Sequence, residues 1–136
     1  MIEKLIELIN IQEKHLNQLL SLLKIQKKLI IKKDAFSLEV LVDKLKECSK
    51  QIAKDEVERR KILNNRSLKE IVYNSDSKEL KDAYYKIEKT VNEVINEKDT
   101  NVLLLKQQLM FTNKMLNIMN PSREIKTYNS IGGLRT

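Results

Sequence analysis

The sequence predicts an all-α protein, an elongated antiparallel helical bundle of coiled-coil character. It has two long N-terminal helices, a short helix and one very long C-terminal helix. Three observations carry this reading. Gly and Pro number two and one in 136 residues, so the regular turns of a sheet protein are missing. Apolar residues recur at alternating steps of three and four along three long segments. The breaks between segments hold Asp, Asn and Ser, the side chains that cap helices.

The first helix spans about 2–33, with a seam of Ile2, Leu5, Ile9, Gln12, Leu16, Leu19, Leu23, Gln26 and Ile30. Gln12 and Gln26 interrupt it two heptads apart. Two readings stand for them, a register-setting pair inside the bundle or positions at a wet edge. A short link at Lys33-Asp34 makes the second helix, 36–63, an antiparallel neighbour. Its seam of Leu38, Leu41, Leu45, Cys48 and Ile52 gives way to Asp55 and Arg59 and returns at Ile62. That charged stretch reads as mostly solvated, with Asp55–Arg59 and Glu56–Arg60 as helical ion pairs.

Ser67-Leu68-Lys69-Glu70 is a capping box that opens a short helix over 67–73. The last helix covers 77–119, with a seam through Leu80, Tyr84, Ile87, Val91, Ile95, Lys98, Val102, Leu105, Leu109, Thr112, Leu116 and Met119. The two steps of four from Ile87 to Ile95 read as a stutter. Asp99-Thr100-Asn101 are weak helix formers, and a bend there is compatible with a continuous helix. Pro121 ends the helix, so residues 1–120 read as the bundle and 121–136 as a flexible C-terminal tail.

Composition narrows the function. No apolar run approaches the ~18 residues that span a bilayer. Glu3, Lys4 and Glu7 interrupt the N-terminal apolar run, which rules against a signal peptide and points to the cytoplasm. The net charge of +7 is spread thinly, and its densest cluster, Lys24 to Lys33, sits where lysines complement a helix dipole. Arg-rich runs with stacking aromatics are missing, so nucleic acid is not an expected partner.

One Cys and one His leave little for catalysis or metal binding. Cys48 falls on a seam, where a free thiol behaves as a small hydrophobe, and His15 lies beside one. No glycine-rich loop precedes a helix. The expectation is a protein without enzymatic activity, cofactor or metal.

What remains is binding surface. Leu104, Phe111, Met115 and Ile118 form a second apolar stripe beside the seam of the last helix, and Leu103 and Met110 add to its area. The stripe is either packed inside the bundle or open as a groove for an amphipathic helix. In the tail, Tyr128 is a lone aromatic among polar residues, the form of an anchor for a partner's pocket or of a ring folded back on the bundle.

Several features together resemble the FlgN-type flagellar type III export chaperones. They are a Leu-rich first helix, the Lys33-Asp34 turn, and a leucine ladder that ends in Glu56-x-x-Arg59 with Arg60 and Leu63. Asn101 before Val102-Leu103-Leu104-Leu105, the Pro stop and the tail residues Thr127, Tyr128 and Gly132 complete the set. The resemblance implies a cytoplasmic chaperone that binds hook-associated (hook–filament junction) proteins, prevents their premature assembly and delivers them to the export apparatus. It assigns Leu103, Leu104, Phe111, Met115 and Ile118 to the C-terminal helices of the cargo. It assigns Tyr128 to the membrane protein of the export gate. A scaffolding coiled-coil protein that self-associates through the same stripes is the alternative, and the oligomeric state is left open.

Overall fold

A computed structural model describes residues 1–120. The described chain is four helices: α1 (Ile2–Lys32), α2 (Ala35–Leu63), α3 (Leu68–Asn74) and α4 (Lys78–Met119). The all-α expectation holds, and each helix falls within a residue or so of its predicted bounds. The chain divides into two compact units, Met1–Asn101 and a second that begins at Val102. The three weak helix formers Asp99, Thr100 and Asn101 do not end α4, and Thr100 Oγ1 donates to the Asn96 carbonyl one turn back.

Local chemistry accounts for the turns. Lys33 ends α1 with φ 60°, and its N–H and that of Asp34 return to the carbonyls of Ile30 and Leu29. Asp34 then starts α2 by accepting from the Ser37 amide at 3.1 Å and the Ser37 hydroxyl at 2.7 Å. Those Ser37 hydrogen bonds, the hydroxyl's foremost, hold its carboxyl below the ordinary range. Asn64 and Asn65 carry positive φ after α2, a conformation that asparagine tolerates better than most residues. Ser67 caps α3 through the Glu70 amide, and Ser77 caps α4 through the Leu80 amide.

The core of the first unit joins all four helices. Leu5, Ile9 and Leu16 of α1 meet Leu63 of α2, Val72 of α3, and Leu80, Ala83 and Ile87 of α4. Each of the Leu, Ile and Val side chains contributes roughly 1.5–3 kcal/mol on leaving water. Leu5, Ile9 and Leu80 are fully enclosed.

Around that core, the heptad seams run through polar residues that the sequence reading had placed in water. On α2 the steps of three and four continue from Ile52 through Asp55, Arg59 and Ile62, all half-buried. Asp55 does not pair with Arg59; its carboxylate meets His15 Nδ1 at 2.5 Å. Arg59 instead donates to Gln12 Oε1 at 2.8 Å and Glu56 Oε1 at 2.6 Å, and Arg60 holds the other Glu56 oxygen at 3.0 Å. Gln12, buried to 5% exposure and bonded to Arg59, is thus packed within the bundle and is not a wet edge position.

The packed seam of α4 also differs from the one read from its apolar residues. Its inward positions are Leu80, Ala83, Ile87, Thr90, Val94, Glu97 and Asn101, an unbroken alternation of three and four. There is no stutter. Val91 and Ile95, which suggested one, are exposed. The register passes through three polar residues because each finds a partner on α1. Thr90 Oγ1 donates to Glu13 Oε2 at 2.7 Å, Glu97 pairs with Lys27 at 3.7 Å, and Asn101 Nδ2 donates to the Leu23 carbonyl and Gln26 Oε1. These contacts offset part of the desolvation cost, though among the described residues Glu97 Oε2 and Asn101 Oδ1 stay buried without a hydrogen-bond partner.

Candidate functional site

The candidate site lies on α4 beyond Asn101, and its face follows from the register just described. Continued in steps of three and four, the seam of the first unit passes from Asn101 to Leu104, Gln108, Phe111, Met115 and Ile118. Four of these are the apolar stripe singled out in the sequence. They lie within about 60° of one another around the helix axis. By spacing in the sequence, the stripe falls on the same heptad positions that α4 buries within the first unit.

Its burial changes at that boundary. Asn101 is 1% exposed, whereas Phe111 is 57%, Met115 44% and Ile118 74% exposed, and Leu104 is half-buried. Leu103, also 56% exposed, does not join them. It shares a heptad position with Met110, about 100° around the axis from Leu104. Along the predicted seam, Val102, Leu105, Leu109, Thr112 and Met119 are exposed and Leu116 is half-buried, so most of that seam is not packed in this segment. It was misassigned because the sequence reading followed apolar residues through Val91 and Ile95 instead of the packed line through Thr90, Glu97 and Asn101. Tyr128, the other predicted contact, lies outside the described residues.

The result is an apolar face in the second unit larger than single scattered side chains would make, and faces of that kind mark sites of association. Between Val102 and Asn120 the only charged residues are Lys106 and Lys114, and no carboxylate is present. The segment offers a helical apolar strip with a purely basic border.

The first unit carries a different kind of surface. A cleft of about 450 Å³ opens beside Leu16, Ile52, Ile87 and Val91, with Gln12, Arg59 and Tyr84 on its walls. Burial pushes the Glu56 carboxyl upward. The Arg59 charge and the hydrogen bonds from Gln12 and Arg60 outweigh that and hold it below its ordinary value. Burial, followed by the Glu88 carboxylate, raises the Tyr84 phenol. Gln12, Glu56 and Arg59 are tied to one another across α1 and α2, which makes them parts of the scaffold.

Cys48 is buried, donates its thiol hydrogen to the His15 carbonyl at 3.4 Å, and is raised above the usual thiol value by burial. It packs as a core residue. Among the described residues, no three or more His, Cys, Asp or Glu side chains gather in a way that could hold a metal ion. No helix among them is long and apolar enough to cross a membrane.

The family model described as FlgN protein matches residues 1–136. No curated protein and no solved structure matches the chain.

Proposed function

Since this chain belongs to the FlgN family, the flagellar export chaperones of hook-associated proteins, we propose that its apolar seam beyond Asn101 holds the C-terminal helices of such a protein. In this reading Leu104, Phe111, Met115 and Ile118 make the main contacts, and Leu103 widens the covered area. The chaperone acts in the cytoplasm, keeps its cargo from assembling early and delivers it to the flagellar type III export apparatus. Tyr128 docks the tail on the export gate.

The observation that supports this reading most is the continuity of the seam. One helix buries a heptad face in the first unit and exposes the same heptad position in the second. Segments that assemble as coiled coils expose apolar heptads when alone, and an apolar helical strip can cover them. Binding of this kind needs no nucleotide chemistry.

The test is a pull-down of hook-associated proteins and their C-terminal segments by the full chain. Leu104→Asp with Met115→Asp is expected to lower retention at least tenfold and to leave the helical content unchanged. Full retention by that variant would refute the placement of the site. Tyr128→Ala is expected to retain cargo and to reduce export in a motility or secretion assay.

A further inference from the structure

The first unit shows what chemistry borders this seam when a helix occupies it. Lys86 flanks the packed face of α4, and its ammonium lies 3.7 Å from Glu13 Oε1 on α1. Glu13 is itself buried to 5% exposure, with Thr90 and Asn17 holding its second oxygen. So an acidic residue beside the apolar line of α1 is the complement of a lysine beside the seam of α4.

Lys114 stands four heptads after Lys86, at the same heptad position, beside Phe111 and Ile118. Lys106 falls at the outermost heptad position, away from the seam. With no Asp or Glu between Val102 and Asn120, the segment has no acid of its own to offer Lys114 from a neighbouring turn. A second copy of the same segment would bring Lys114 no carboxylate either.

Resting on the docking reading above, we propose that the occupant of the seam at Leu104–Ile118 is an amphipathic helix that carries a carboxylate beside its apolar heptad line, and that Lys114 pairs with it as Lys86 pairs with Glu13. The apolar strip supplies most of the affinity. The lysine selects among helices of similar apolar pattern and speeds encounter at low salt. An exposed pair of this kind is worth up to about fivefold in binding, and salt weakens it.

Two designed peptides test this with the full chain, by fluorescence anisotropy at low and high salt. They share one apolar heptad line and differ only in having Glu or Lys at the flanking positions. The Glu peptide is expected to bind about fivefold more tightly at low salt, with the difference shrinking at high salt. Lys114→Glu should abolish or reverse the preference, and Lys106→Glu, an equal change of charge on the outer face, should leave most of it.

Equal binding of both peptides to the unmodified chain, or equal effects of the two lysine variants, would overturn the proposal. If neither peptide binds, or if Met115→Asp releases neither, the docking reading falls and the proposal falls with it. A stable dimer in sedimentation that Met115→Asp dissolves would assign the seam to a second copy and overturn the acidic partner.

Discussion

The two parts of α4, Lys78–Asn101 and Val102–Met119, have the same heptad spacing and opposite fates. In the first, the seam alternates apolar residues with Thr90, Glu97 and Asn101, and its exposed faces mix lysines with carboxylates. In the second, the seam is apolar except for Gln108, and the charges are two lysines. Polar residues inside a seam cost stability and fix register; an apolar seam sticks more strongly and discriminates less. On the docking reading, the difference separates a permanent intramolecular contact before Asn101 from a contact made with partners after it.

Breaking the comparison most directly means cutting the same chemistry out of both parts. Leu80→Ala is expected to lower the unfolding free energy by about 2–5 kcal/mol, because the side chain is fully enclosed. Leu109→Ala, on a residue 57% exposed, should change it by no more than about 0.5 kcal/mol. Urea titrations followed by helical signal check both. Comparable losses at the two sites would mean that the second part is as much core as the first.

The heptad framework was legible because steps of three and four leave a periodic trace even where single positions vary. The helix ends were legible from Asp34, Ser67 and Pro121. What the sequence concealed was the polar content of the seams. Arg59 and Asp55 looked solvated since charged residues usually are, and only the arrival of Gln12 and His15 from α1 makes their burial tolerable. Thr90, Glu97 and Asn101 were passed over in the same way, which displaced the seam of α4 by a stripe. The stripe at Leu104–Ile118 was found by its apolar content, but its identity as the continuing seam was visible only once the register through Asn101 was known.

Two smaller effects sharpen the picture of the first unit. Arg59→Ala removes the donors that Gln12 and Glu56 share and leaves both partly desolvated. A loss of about 1–3 kcal/mol is expected, measured by the same titration. Glu56 adds a pH dependence. Its carboxyl is held below the unfolded value, so its contribution is complete above about pH 4.5 and is lost as the pH falls through the lower folded value. Thermal melts between pH 7 and pH 3 should show a decline that is shallower in Glu56→Gln. An identical acid profile in the variant would show that other carboxylates set the transition.

Asn101 has a consequence for distance as well as for packing. Its amide, fixed on the Leu23 carbonyl and Gln26, marks zero on a ruler whose graduations are the turns of α4. From Val102 to Met119 the scale is about 27 Å long, or five turns, which sets the length of helix that can lie along it. A heptad inserted within this stretch would lengthen the scale and keep its apolar residues on one line. A single residue inserted after Gln108 would turn Phe111, Met115 and Ile118 about 100° away from Leu104 and split the line. On the docking reading, affinity for a helical partner should follow the phase of such an insertion more closely than its size.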